Sequence, residues 1–331
     1  MKSTVQHEHI IPRLTALWAL SESGLGGFMH AVKIPFTGFF LGGFAIIMIT
    51  LIALHSHKPF TQIMKATLLV VLVKATASPQ SPPMAYFAVA FQGLSGAMIF
   101  ALGVNRVFAI AFGAVALFES AIQKFITATL IFGKSIWEAA DALFNSIAKD
   151  LGMSHDVAFS FWLIGIYTGV YTIWGMLLGN WSYSLPASLL ATKASIIEQA
   201  NKLTNTQLPE SKKKKGNMKL ISLFFILLFI ISIFLLQGNS QQAMYSITRT
   251  VAALLLLYFV LAPITKYLFA TWATRQSSKR ASDIKQILDA LPQLRNHLSS
   301  AMQLAKLNHK GLKVYRAFVI NLIVLSIYHD S

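Results

Sequence analysis

Long apolar runs separated by short polar or proline-containing breaks make up most of the first 182 residues. A helix needs about 20 mostly apolar residues to cross a bilayer. Proline and clustered polar residues between such runs are turn signals. The pattern therefore predicts an all-α, polytopic membrane protein whose first part is a six-helix bundle, with spans at 12–33, 36–54, 61–78, 85–104, 106–133 and 156–182.

The second part of the chain has a different pattern. Two more apolar runs predict a membrane hairpin, and apolar residues at three- and four-residue steps after it predict an amphipathic helix on the cytoplasmic face. The apolar run 314–328 is short, and we favour an interfacial helix there over a third additional span. The predicted segments are a bundle (1–182), a basic linker (183–217), the hairpin (218–270, with spans at 218–236 and 244–270) and the amphipathic helix with its apolar tail (271–331).

Composition supports a membrane protein and argues against a cytosolic enzyme. Hydrophobic residues make up 55% of the chain and charged residues only 12%, whereas a soluble domain has about 25% charged residues. Cysteine is absent, which excludes disulfides and thiolate metal sites. We predict no cofactor and no metal.

Basic residues are concentrated beside the apolar runs. The net charge is +16, and residues 183–331 alone hold 18 Lys and Arg against 5 Asp and Glu. Cytoplasmic anchoring by the positive-inside rule explains this pattern better than nucleic-acid binding, so we predict the lipid bilayer and no nucleic acid as a partner. Arg13, His55–Lys58, Arg106 and Lys212–Lys215 fall on one side if the N-terminus is cytoplasmic. We expect a multi-pass protein of a bacterial cytoplasmic (inner) membrane in that orientation.

Ionisable and polar residues inside predicted spans are the main candidates for function, because charges are costly in a membrane. Two interpretations stay open. The residues could form structural ion pairs, such as Glu22 with Lys74 or Glu119 with Lys124. Alternatively, they could line an outward-facing pocket for a small polar or charged molecule, formed by Glu22, His30, Lys74, Gln92, Glu119 and Lys124.

Small residues recur at every fourth position of the first predicted span. This spacing places Ala19, Ser23 and Gly27 on one helix face, where another backbone can approach closely. The partner could be a span of the same chain or a separate membrane subunit, and both readings stay open. The loop 134–155 is amphipathic and is either a connector or a lid over the outer pocket.

Catalytic motifs are weak throughout the sequence. The triplet Gly133-Lys134-Ser135 is similar to the end of a phosphate-binding loop, but Ala128 stands where that motif requires glycine. We therefore predict that the chain is not an enzyme.

Three segments resemble the substrate-binding S components of energy-coupling factor (ECF) vitamin transporters: LTALWALSESGLGG (14–27), KIPFTGFFLGGFAIIMITLIA (33–53) and LLVVLVKATASPQSPPMAYFAVAFQGLSGA (68–97). The resemblance covers residues 10–182. It implies capture of a vitamin-like small polar nutrient from outside. It also implies that the face with Ala19, Ser23 and Gly27 docks onto a transmembrane T component. That component in turn receives force from two ATPase subunits. Residues 183–331 depart from that family, whose S components end near the sixth span.

Two other functions fit the sequence less closely. In one, the protein is a membrane scaffold or sensor, and residues 271–313 relay the state of a ligand or lipid to a cytoplasmic partner. In the other, it is a membrane enzyme that processes a lipid or prenyl phosphate. The second would need paired acidic metal ligands, which the sequence lacks.

Overall fold

The computed structural model describes residues 2–25, 37–78, 81–150, 152, 158–204, 248, 252, 255–311 and 313–328. Every regular element in these ranges is a helix, which confirms the predicted all-α class. The elements are α1 (Lys2–Leu20), a π-helix (Ser21–Leu25), α2 (Thr37–Leu54), α3 (Pro59–Ala77), α4 (Pro83–Leu102), α5 (Arg106–Phe132), α6 (Ser135–Asp150), α7 (Phe159–Thr204), a second π-helix (Leu256–Leu261), α8 (Ala262–Lys279), α9 (Ala281–Asn308) and α10 (Lys313–Tyr328).

Five described helices, α2, α3, α4, α5 and α7, are long and apolar enough to cross a membrane. They correspond to the second to sixth predicted spans, and they support a multi-pass membrane protein. The described start of the first predicted span, 12–33, is helical, since α1 covers Lys2–Leu20 and the π-helix covers Ser21–Leu25. Its end, residues 26–33, lies outside the described residues, as does the whole predicted span 218–236. Of the predicted span 244–270, residues 255–270 are described and helical.

Helix α7 extends far beyond the predicted end of the sixth span. It has 46 residues and continues through Pro186 to Thr204, so the first part of the predicted linker 183–217 is helical. A span needs only about 20 residues. The N-terminal half of α7 exposes large apolar side chains such as Phe161, Trp162 and Ile166. Its C-terminal end instead carries polar residues. This part of the helix can lie outside a bilayer.

The chain divides into two compact units that do not follow the predicted segments. The first unit contains Met1–Leu117, Thr172–Lys212 and Ala270–Ser331, and the second contains Phe118–Tyr171 and Lys213–Phe269. The first unit thus combines helices from the beginning, middle and end of the sequence. Sequence continuity predicted one bundle ending at 182, but the C-terminal helices pack on α1 and so belong to the same unit.

Helix α2 is the centre of the first unit. From Leu41 to Ala53 every residue except Phe44 is buried, as expected for a helix that is apolar on all sides. Helices α1, α3 and α4 pack around it, and α3 and α4 also pack against each other. At one contact, Gly93 of α4 lies against the side chain of Thr67 on α3.

The C-terminal helices α9 and α10 pack on α1 and on each other. Helix α9 buries an apolar stripe that includes Ile284, Ile287, Leu291 and Leu294. In α10 all seven residues 321–327 are buried. The apolar tail 314–328 therefore packs inside the first unit and is not the interfacial helix that its short length suggested.

Arg13 links the two ends of the first unit. Its Nη1 donates hydrogen bonds to the carbonyl oxygens of Ser326 (3.1 Å) and Ile327 (3.2 Å). These carbonyls belong to the last turn of α10, where backbone acceptors have no partner within the helix. A cation at this end also matches the negative end of the helix dipole. The bond therefore fixes the end of α10 against α1.

Small residues allow α5 and α7 to cross closely within the first unit. The glycines Gly113 and Gly175 face each other so tightly that a Cβ on either one would clash with the carbonyl of the other. One turn further, a Cβ on Gly179 would meet the carbonyl of Ala109. Four-residue spacing of small residues on both helices is the usual pattern for close packing in membranes.

We predict that Gly175→Ala destabilises the protein, whereas Gly165→Ala on the same helix does not. A methyl group at Gly175 has no space, and overpacking typically costs about 1–3 kcal/mol. An added Cβ at Gly165 meets no atom of the described residues within 4 Å, and alanine favours a helix over glycine by up to about 1 kcal/mol. The thermal unfolding midpoint in detergent measures both effects. Equal midpoints for the two variants would contradict the close crossing.

Candidate functional site

Two of the predicted site residues form a buried ion pair in the first unit. Glu22 lies in the π-helix that follows α1, and Lys74 lies in the last turn of α3. The Lys74 Nζ is 2.7 Å from the Glu22 Oε2, and the two side chains are 1% and 5% exposed. A buried charge is tolerated when it is paired and hydrogen-bonded. The structure therefore realises the ion-pair alternative for these two residues.

The end of α3 and the start of α4 surround the Lys74 ammonium. Its Nζ lies 3.4 Å from the Ala85 carbonyl oxygen and 5.7 Å from the centre of the Tyr86 ring. The Tyr86 hydroxyl in turn donates to the Ser78 carbonyl at 3.2 Å. These contacts connect the Lys74 side chain to the α3–α4 turn.

Gln92 is buried in α4, and its Oε1 has no hydrogen-bond partner among the described residues. It follows Ala85 by seven residues, which corresponds to about 10 Å along the helix axis. Gln92 and the ion pair thus belong to the same unit at different levels of α4. Because buried amides are normally hydrogen-bonded, Gln92 stays a candidate ligand contact.

The other two described candidates, Glu119 and Lys124, belong to the second unit and are not paired with each other there. The Lys124 Nζ donates to the hydroxyl groups of Tyr167 (2.7 Å) and Tyr171 (3.3 Å). Both carboxylate oxygens of Glu119 are buried without a hydrogen-bond partner among the described residues. Residues five apart do not share a helix face, which explains why this alternative ion pair does not form. His30 lies outside the described residues.

The predicted docking face on α1 is covered by the chain's own helices. Ala19 is fully buried and Ser23 is 9% exposed, and the Ser23 hydroxyl donates to the Ala19 carbonyl. Gly27 lies outside the described residues. Docking of another subunit through Ala19 and Ser23 would require these residues to be uncovered first. That docking stays a prediction.

A cavity of about 690 Å³, lined by both charged and apolar residues, lies at the other end of α3, within the first unit. From Lys74 to Lys65, which lines it, the distance along the helix is roughly 13 Å. None of the five described ligand residues, Glu22, Lys74, Gln92, Glu119 and Lys124, lines this cavity. Its walls come from α1, the α2–α3 loop, α3 and α9: Ile11, Pro12, Arg13, Thr15, Ala16, His55, Ser56, His57, Lys58, Gln62, Lys65, Ala66, Leu69, Asp283, Gln286, Ile287 and Ala290.

One salt bridge crosses the cavity and joins α3 to α9. The Lys65 Nζ is 3.3 Å from the Asp283 Oδ2, and these side chains are 46% and 31% exposed. Asp283 lies in the first turn of α9 and also faces Arg280, whose Nη1 is 3.9 Å from the same oxygen. The Lys65–Asp283 bridge is more exposed than the Glu22–Lys74 pair, so water weakens it more.

The sequence contained separate signals for this cavity that did not identify it. Arg13 and His55–Lys58 were interpreted only as markers of orientation, and residues 271–313 as a cytoplasmic helix. Hydrophobic periodicity indicates which face of α9 is buried but not which helix it packs against. An acidic residue at the start of a basic helix, Asp283, was the signal that could have suggested a contact with a lysine on another element.

Metal binding and known relatives do not define the site further. Within the described part of the chain, no group of three His, Asp or Glu side chains could hold a metal ion. The sequence matches no protein-family model, and no curated protein or solved structure is similar enough to it to count as a match. The buried Glu22–Lys74 pair and the cavity at the other end of α3 are the features of the first unit that bear on function.

We predict that Lys74→Met destabilises the protein by about 3–5 kcal/mol, because it leaves the Glu22 carboxylate buried without a partner. The double variant Glu22→Leu/Lys74→Met should recover most of this loss, since it removes both charges. Lys202→Met is the matched control. It breaks an exposed pair with Glu198, and water screens such a pair so strongly that it contributes little to stability. Chemical denaturation in detergent measures all three, and a Lys74→Met protein as stable as the unmodified one would contradict the prediction.

Proposed function

We propose that the protein is a membrane-embedded binding protein for a small polar molecule, in which α9 senses whether the cavity is occupied. The observation that carries this proposal is that the cavity walls come both from a candidate membrane span and from the polar C-terminal segment. Helix α3 is a candidate membrane span, whereas α9 belongs to the polar and basic segment 271–313. A molecule in the cavity would contact both, so its binding could change how α9 is held.

The size and position of the cavity support this function. Pockets for small molecules typically enclose about 300–1,000 Å³, and this cavity falls in that range. The positive-inside rule favours a cytoplasmic location for the α2–α3 loop and for Arg13. In a bacterial inner membrane with a cytoplasmic N-terminus, the cavity would open towards the cytoplasm. That orientation fits a sensor of an internal compound better than a receptor for an external nutrient.

Vitamin-like uptake with a T component and ATPase subunits stays a prediction from the resemblance to S components. It requires Glu22 and Lys74 to be available to an external ligand, whereas the two residues neutralise each other in the first unit. It also requires a free docking face at Ala19 and Ser23, which other helices of the chain cover. The sensor function needs neither change.

We predict that Ala290→Trp removes a small molecule that co-purifies with the protein. Ala290 lines the cavity from α9, so the indole should fill the space that the molecule occupies. Native mass spectrometry of the detergent-purified protein should show a bound mass in the unmodified chain and not in the variant.

The control for this experiment is Ser299→Trp, which adds an indole to an exposed position of the same helix. It should retain the bound mass. An equal amount of bound mass in Ala290→Trp and in the unmodified protein would refute binding at this cavity.

A further inference from the structure

The cavity carries an excess of positive charge from three different elements. Arg13 comes from α1, Lys58 from the α2–α3 loop and Lys65 from α3, while Asp283 of α9 is the one carboxylate among the described residues of the lining. Three cations against one carboxylate leave two uncompensated positive charges. Converging Arg and Lys side chains are a common means of binding phosphate.

We propose that the cavity binds a dianionic phosphate group and that Asp283 is the internal competitor of this ligand for Lys65. The group could belong to a soluble phosphate compound or to a lipid headgroup, because both present the same oxyanion. This inference rests on the proposed binding function and names the class of ligand. In this proposal the ligand displaces the Asp283 carboxylate of α9 from Lys65.

The cations differ in how firmly they are held, and this difference suits exchange of ligand. The Arg13 Nη1 is fixed by two carbonyl oxygens of α10, and a guanidinium has five N–H donors in a rigid plane. This arrangement holds Arg13 at the cavity wall with further donors for an anion. Lys58 is exposed and forms no ion pair among the described residues. It is therefore able to turn towards a ligand.

The Lys65–Asp283 bridge is weak enough to be replaced. Both side chains are partly exposed, and the Nζ–Oδ2 distance of 3.3 Å is longer than that of the buried pair. Partly exposed pairs contribute little to stability. A dianion beside Lys65 attracts it more strongly than the single carboxylate does, and Asp283 still faces Arg280 after the exchange.

Displacement of Asp283 would act on a limited part of α9. The helix stays attached to the first unit through its buried apolar stripe, which begins at Ile284. The bridge to α3 holds only the first turn, which contains Asp283. Phosphate binding would therefore release the start of α9 without detaching the helix, and this release is the output of the proposed sensor.

The test uses the full-length protein in nanodiscs and measures the thermal unfolding midpoint, which a ligand of the folded state raises. In the first arm, pyrophosphate is titrated at constant ionic strength into phosphatidylcholine nanodiscs. In the second arm, the nanodiscs contain phosphatidic acid, whose headgroup is a phosphate monoester, and no pyrophosphate is added. Stabilisation in the first arm identifies a soluble source, and stabilisation in the second arm identifies a lipid headgroup.

Three variants separate charge recognition from a structural role. Lys65→Gln should raise the dissociation constant of the phosphate ligand about tenfold in whichever arm shows stabilisation, because it removes one charge-assisted hydrogen bond. Asp283→Asn should strengthen binding, since it removes the competitor. Lys202→Gln breaks a different exposed lysine–carboxylate pair outside the cavity and should change nothing. A purely structural bridge would make Lys65→Gln and Asp283→Asn change binding in the same direction.

Failure of this inference can be distinguished from failure of the proposed function. If neither arm stabilises the protein while a bound mass is still lost in Ala290→Trp, the cavity binds a molecule without a phosphate group and the inference is wrong. If neither arm stabilises and no mass co-purifies, the binding function is wrong as well. Weaker binding in Asp283→Asn would overturn the competitor role of Asp283.

Discussion

The ion pair between Glu22 and Lys74 fixes the register of two helices on which the first unit depends. Neither charge tolerates burial alone, so α1 and α3 are held at the one level where the two groups meet. Arg13 and Lys65 each stand nine residues before one partner of this pair, and both line the cavity. Because α1 and α3 run in the same direction, equal steps of roughly 13 Å reach the same level. The buried pair therefore determines which cations face each other at the far end.

The two polar regions of the first unit have complementary properties. At one end, charges are neutralised, almost completely buried and held at 2.7 Å. At the other, charges are unbalanced, partly exposed and loosely paired. The first arrangement favours a single rigid structure, and the second permits exchange of partners. Lys74 and Lys65 both belong to α3, so a single helix carries both the fixed pair and the exchangeable one.

Hydrophobic patterning predicted the membrane helices well but misjudged their ends. The runs 61–78 and 85–104 gave helices that begin two residues earlier, at Pro59 and Pro83. The prolines were interpreted as breaks, although proline is favoured in the first turn, where its missing N–H is not needed. Conversely, Pro186 did not end α7, whose polar C-terminal part continues as a helix to Thr204.

The site was harder to predict because a sequence indicates depth and helix face but not which helices become neighbours. Glu22 and Lys74 were identified as a possible pair from their depth in separate spans. Glu119 and Lys124 had equally suitable charges, but Lys124 contacts Tyr167 and Tyr171. The contact of α9 with α1 and α3 joins residues more than 200 positions apart, and no local pattern specifies it.

The bond from Arg13 to the last turn of α10 has a consequence for how the protein is made. Arg13 is synthesised more than 300 residues before its acceptors on Ser326 and Ile327. At about 5–20 residues per second, a ribosome takes at least 15 seconds or so to deliver them. Throughout that time α1 packs only against early helices such as α2 and α3 and lacks α9 and α10. A nascent chain interrupted before α9 would thus present an uncovered apolar face to membrane chaperones and proteases, which gives the cell a means to discard incomplete copies.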